Sequence, residues 1–459
     1  MSDEFQIVKL CIVIAVFVLG VVGANFFLKR DFEKQFWYFL SIGLLVWSGI
    51  GGTRGIVNWD YLWIFAFFYL IFGAILCASV RLLGHYFKPV PFNDADPMLN
   101  TKFWGGFVIF YLVYTLFPLT YPEMKLVLLV RPPAPDLAMA VEERFIETGK
   151  TFVEVLYYYS ALLLFPFFLF SMHALGKRWW LVAFVIGFHY YTKYCINAYI
   201  SRHEIGMALL LFFLYLWNMR IFPRQILLVV CAGILPPLLF FFNIYTSVRL
   251  MGGVDLSLNI MGIIESVITL FYEETFYPLL VNDLMSAAYK IDPSRYFLWI
   301  LSLPIPQKFT AGWDYMRINR EFTELMLGGV YGENIFTIIL PGLVGEAIFI
   351  YGKNFWWIHT VLQACLMALI CFLLQSDRRL FFLMTYFQLQ ALLLARGGGS
   401  MFIILVINYM ILFWPFLFFL FFRNWRMAAS HPMPAPGPGP EYGYYPIPGQ
   451  HYPRGVNTD

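Results

Sequence analysis

The residues most able to do chemistry are few and lie apart. Glu346 is a carboxylate in an otherwise apolar segment, Pro341-Gly-Leu-Val-Gly-Glu346-Ala-Ile-Phe-Ile-Tyr-Gly352. Such a group either neutralises a neighbouring arginine or acts as a general base. Arg396 stands in Ala395-Arg-Gly-Gly-Gly-Ser400, where the glycines allow the backbone to approach a bound group closely. His189, Lys193 and Asn197 are spaced by four and share one helix face, which leads toward Arg202 and His203 in Ser201-Arg-His-Glu204. A lysine inside a span costs about 2.5–3.5 kcal/mol on insertion scales, so it is usually functional or paired. Glu154, near the outer end of the preceding span, is an available partner, and an ion pair joining two helices competes with a ligand-binding role. His203 and His359 rival Glu346 as bases, although a lone histidine in a membrane is more often a packing residue.

Several chemistries find no support. There is no Walker A sequence, no HExxH and no GxSxG. No Asp-x-Asp pair falls in an outer loop, which leaves a metal-dependent sugar transferase unsupported, and neither metal nor cofactor is expected. All six cysteines fall inside apolar runs without a CxxC pair and read as small buried hydrophobes. Neutralising an anionic ligand would fall to arginine, whose planar fork binds phosphate in bidentate fashion.

The elements that must position these groups are membrane helices. Of 459 residues, 60% are hydrophobic and only 13% charged, far too apolar for a soluble globular chain. Continuous apolar runs favour helices over a barrel. They centre near 6–28, 36–50, 61–82, 104–121, 151–175, 179–197, 205–222, 225–246, 354–375, 380–395 and 401–422, or about eleven spans of roughly 20 residues. The fold expected is therefore an all-α polytopic membrane protein, with no cleavable signal peptide. Its parts are residues 1–246 (eight spans), 247–353 (a large loop), 354–426 (three spans) and 427–459. That last segment is rich in Pro, Gly and Tyr and reads as a disordered tail. The net charge of +3 is too small to argue for nucleic acid.

Basic residues orient the spans. Lys29-Arg30 with Lys34, Lys88 with Lys102, Lys177-Arg178, Arg220 with Arg224, Arg378-Arg379 and Arg423 with Arg426 fall in alternate connections, which assigns that side and the C-terminal tail to the cytoplasm. The 247–353 interval is then extracytoplasmic, with 256–272 and 335–352 as interfacial or re-entrant helices. Arg54, Arg131, Arg144, Arg202, His203, Arg249, Arg295, Arg317, Arg320 and Arg396 lie at or near the outer face, several of them, notably Arg202-His203 and Arg396, against the topology rule, which suggests an anionic ligand. Pairing with a lipid headgroup or a nearby acid is the competing reading for each.

The long outer loop with Ile305-Pro-Gln-Lys308, the Gly345-Glu346 helix ending in Tyr351-Gly352, and Arg396-Gly-Gly398 before the last span resemble the Wzy-type polysaccharide polymerases, relatives of the O-antigen ligases. Tyr121-Pro-Glu, Arg131-Pro-Pro-Ala-Pro-Asp136 and Arg144 are similar too. Gln307-Lys308 stands where many relatives carry an arginine after the loop prolines. The resemblance implies a GT-C-like membrane glycosyltransferase in a bacterial cytoplasmic membrane, needing no metal. It would transfer a growing glycan from undecaprenyl diphosphate onto a lipid-linked repeat unit at the outer face, in making O-antigen lipopolysaccharide or capsule. Partners implied are the undecaprenyl-diphosphate-linked oligosaccharide, the bilayer, a chain-length regulator and a flippase. Arg249 and Arg396, followed by Lys193 and Arg202, would offset charge on the departing diphosphate. Glu346, or else His203, would take the acceptor proton; His189, Arg131, Arg144, Arg317 and Arg320 would line the substrate path. A transporter or flippase for lipid-linked or anionic solutes, an O-antigen ligase and an envelope scaffold are the rivals.

Overall fold

A computed structural model describes residues 3–54, 56–86, 109–113, 115–116, 125–134, 165–198, 200, 202–251, 276–287, 291–305, 307–310, 312–329, 339–375, 377–408 and 410–430. Within these residues the regular structure is helical. α1 covers Asp3–Phe27, and α2 covers Asp31–Leu44 and runs into a π-helical turn at Leu45–Ile50. α3 is Trp59–Tyr86, α4 Trp179–Asn197, α5 Arg202–Asn218 and α6 Arg224–Met251. Short helices follow, α7 (Tyr277–Ser286), α8 (Pro293–Ser302) and α9 (Ile318–Leu327), with a single helical turn at Gln307–Thr310 between the last two. α10 (Gly342–Leu374), α11 (Phe381–Asn408) and α12 (Phe413–Ser430) complete the described chain.

Four helices, Phe5–Phe27, Trp59–His85, Gly342–Leu374 and Phe381–Ile407, are long and apolar enough to cross a membrane. They need lipid because apolar side chains also face outward. Val18, Leu19, Val22 and Phe26 on α1 are exposed, as are Leu228, Val229 and Val230 on α6. In water such a surface would drive association. Inside, α10 packs on α3 and α11, α11 on α2, and α1 on α3. Small residues allow this closeness. Trp37 is fully buried, lies against Gly73 and donates its indole N–H to the Gly20 carbonyl at 3.2 Å.

Two helices are interrupted. In α10, Gly352 has φ 73° and ψ 175°; in α11, Gly398 has φ 82° and ψ 174°. This region of backbone space is open essentially to glycine alone. The first half of α10, Gly342 to Tyr351, is buried at every residue and is only about 15 Å long, too short to span a bilayer. The α11 interruption falls in the glycine run where the sequence reading ends one span, at 395, and begins the next, at 401, and two helical stretches meet there at a kink. Arg396 lies two residues before that kink, and the connection to α12 falls near Met410.

Polar side chains tie the connections into two ends. At one, Arg30 donates to Gln375 (2.9 Å), Gln375 to Glu33 (3.1 Å), Gln388 to Gln35 (3.0 Å), Gln35 to Asn218 (2.9 Å) and Tyr215 to the Gly176 carbonyl (2.7 Å). The basic connections at 29–34, 177–178, 220–224 and 378–379 are thus gathered together. At the other end, the Asn58 amide donates to Asn282 of α7 at 2.9 Å, and the Ile291 amide to the Phe349 carbonyl at 3.1 Å. The described part of the 247–353 interval packs there. Arg379 is not a free surface charge, because it is buried in a forked ion pair with Asp377 and lies over Phe170.

Candidate functional site

The α11 interruption at Gly398 packs on Glu346 of α10. Its carboxylate is fully buried. The Ser400 amide donates to both oxygens at 3.0 Å, the Ser400 hydroxyl donates to Oε2 at 2.9 Å, and the Tyr296 hydroxyl of α8 donates to Oε1 at 3.3 Å. A carboxylate needs such donors when removed from water. Gly398 leaves the space that the carboxylate fills, since a Cβ there would lie 2.0 Å from Oε2. One turn earlier, Gly342 packs against the backbone of Ala395 and Arg396 and near Ser48 of the π-helical turn.

Around this anchor lie polar atoms with no hydrogen-bond partner. His359 Nε2 is 3.4 Å from Glu346 Oε1 without hydrogen-bond geometry, and the side chain is 1% exposed. Gln363 Oε1 and the Tyr351 hydroxyl are also buried and unpartnered. The rings of Tyr296 and Tyr351 lie 5.9 and 6.1 Å from His359. Burial, the Glu346 carboxylate and its hydrogen bond push the Tyr296 phenol well above its ordinary range, so it stays a donor. Among the described residues, the His359, Gln363 and Tyr351 side chains thus each bury a polar atom without a protein partner near this carboxylate, where native interiors leave few such atoms. A cavity of about 580 Å³ bordered by Tyr351 adjoins this cluster.

Other expected residues are distributed as follows. Arg396 is half-buried at the α11 interruption, close in sequence to Ser400. Lys193 pairs with Glu204 across α4 and α5; the proposed partner Glu154 lies outside the described residues. Both reach the same helix end, where a pair offsets each desolvation. His189 sits among Phe168 and Tyr190, with ring centroids at 5.3 and 5.2 Å. Arg131 is exposed on a segment held against α4 by Tyr191 and Tyr194, which donate to the Leu129 and Pro133 carbonyls at 2.7 Å. Arg320 pairs with Glu324 at 2.9 Å, while Arg317 is exposed at the start of α9. Arg249, Arg202 and His203 lie on described helices, but their side chains are outside the described set, as is all of Arg144.

Tyr296, Gln363 and Lys9 were missed as site or core residues. His359 and Gln363 are polar at positions four apart in an apolar run, which is a readable signal. Tyr296 carries none. Lys9 is fully buried, donates to the carbonyls of Val57 and Arg54, and lies 5.4 Å from the Trp59 ring.

These features define a helical, multi-pass membrane protein with a polar centre at two interrupted helices. No family model matches the chain, and neither a curated protein nor a solved structure matches it.

Proposed function

We propose that the protein is a membrane glycosyltransferase that extends a lipid-linked glycan, a polymerase acting on lipid-diphosphate-linked repeat units. The observation that carries this reading is the buried Glu346–His359 pair packed on the α11 interruption at Gly398, with an adjoining cavity. The acceptor hydroxyl would give its proton to that pair while its oxygen bonds to the anomeric carbon. The bond from that carbon to the diphosphate oxygen breaks, and the electron pair leaves with the lipid diphosphate. Arg396 and Arg249 would offset the charge that develops there. Ser400 and Tyr296 hold the carboxylate in place and so reduce reorganisation during transfer.

Interrupted helices around an ionisable residue also favour a second reading, a transporter of lipid-linked or anionic solutes. One experiment separates the two. The purified protein in nanodiscs is incubated with an undecaprenyl-diphosphate-linked repeat unit, and the products are resolved by size. A ladder of longer lipid-linked glycans supports the transferase. Unchanged substrate, together with vectorial movement of it in proteoliposomes, supports the transporter.

A further inference from the structure

The cavity beside the interruption of α10 has a chemical character of its own. Ile291, Pro293, Ile350 and Ile358 form its apolar walls, and its volume of about 580 Å³ falls within the usual range of small-molecule pockets, about 300–1,000 Å³. Two aromatic residues, Tyr351 and Phe355, also line it. Phe355 is 55% exposed, while Tyr351 is 9% exposed and its hydroxyl is unpartnered. Among the described lining residues, Asp292 is the one carboxylate. Its Oδ1 accepts the Ser294 amide at 2.9 Å as the cap of α8. That hydrogen bond holds the Asp292 carboxyl below the ordinary aspartate range, so it is anionic at neutral pH.

Three points select the ligand. No arginine or lysine is among the described lining residues, and the nearby Arg295 acts on the Asp292 carboxylate, so the cavity wall itself offers a lipid diphosphate no cation. An unpartnered buried hydroxyl on the wall calls for a ligand with hydrogen-bonding groups, which a bare prenyl chain lacks. Aromatic faces combined with a carboxylate acceptor suit a ring that is apolar on one face and carries hydroxyls at its edge.

We infer that this cavity binds an uncharged sugar ring and is the acceptor-sugar subsite, placing the ring next to Tyr351 with the Glu346–His359 pair behind it. The assignment rests on the transferase reading for its role as acceptor site, but not for the binding itself. Phe355 would cover one face of the ring, and Asp292 would accept a ring hydroxyl.

The test is equilibrium binding to the full-length protein in nanodiscs, using radiolabelled methyl glycosides of neutral hexoses and N-acetylhexosamines, with farnesol and farnesyl diphosphate as lipid probes. At least one glycoside should bind saturably, and Phe355→Ala and Asp292→Asn should each weaken it about tenfold or more. Ile358→Trp, which fills the cavity, should abolish it, and none of the three should alter farnesyl diphosphate binding. Both Phe355 and Asp292 are exposed, so these two variants should fold. The inference is overturned if no glycoside binds, if binding ignores the substitutions, or if farnesol is the probe that Ile358→Trp displaces. Saturable glycoside binding without any glycosidic product would defeat the transferase reading and leave the cavity assignment standing. Polymer made with unchanged acceptor KM by Phe355→Ala and Asp292→Asn would do the reverse.

Discussion

Glu346 is held by donors from two other elements, and each contact makes a separate prediction. Gly398→Ala would put a methyl group 2.0 Å from Oε2 and force alanine to φ 82°. The backbone cost alone is about 1–3 kcal/mol. The variant should be poorly expressed or elute as aggregate in size-exclusion chromatography, whereas Gly84→Ala, with open space around it, should behave as wild type. Ser400→Ala removes one hydroxyl donor from a buried carboxylate, at about 1–3 kcal/mol. Its melting temperature in detergent should fall, and a Glu346→Gln, Ser400→Ala pair should be non-additive because the two side chains touch. Additive melting shifts would mean that the hydroxyl contact contributes no coupling. Glu346 itself was legible, as a lone acid in an apolar segment. Its real partner was not, because serine, the least conspicuous residue of Arg396-Gly-Gly-Gly-Ser400, supplies the donors through both backbone and side chain.

Among the elements, the interruptions at Gly352 and Gly398 organise the centre. Long apolar runs and the boundaries of α4 were plain in sequence, because side-chain pattern and helix length are local properties. A glycine run, in contrast, is ambiguous. It usually marks a connection, and here a single non-helical residue, Gly398, joins two helical stretches at a kink. The lysine at 193 was legible as a paired charge, but its partner was set by how α4 and α5 approach each other, and that depends on tertiary geometry. The α8 cap makes a prediction on pH. Asp292 has a folded-state pKa below its unfolded value, because of the Ser294 amide and hydroxyl and then Arg295. Its contribution is therefore complete above the ordinary aspartate pKa of about 3.9 and is lost as pH falls through the lowered folded value. Hydrogen exchange at the amides of 294–296 should accelerate below about pH 4 in the wild type. In Asp292→Asn this acid-dependent step should be absent.

For the whole molecule, hydrogen bonds collect the basic connections at one end and the described part of the long interval at the other. The two ends should lie on opposite sides of a membrane. In a background lacking the six native cysteines, Lys177→Cys and Arg317→Cys should react with an impermeant maleimide from opposite faces of sealed vesicles; labelling from the same face would refute this arrangement. If the protein is a polymerase and not a scaffold, deleting 428–459 should leave polymer synthesis in place, with chain length the only feature to shift. The most direct measurement is product formation from a synthetic undecaprenyl-diphosphate-linked repeat unit, comparing wild type with Glu346→Gln purified as a monodisperse protein. A glycan ladder from wild type, reduced at least about a hundredfold in Glu346→Gln, as losing a general base would do, is the predicted result. Equal ladders from both proteins, or none from either, would contradict a catalytic centre at Glu346.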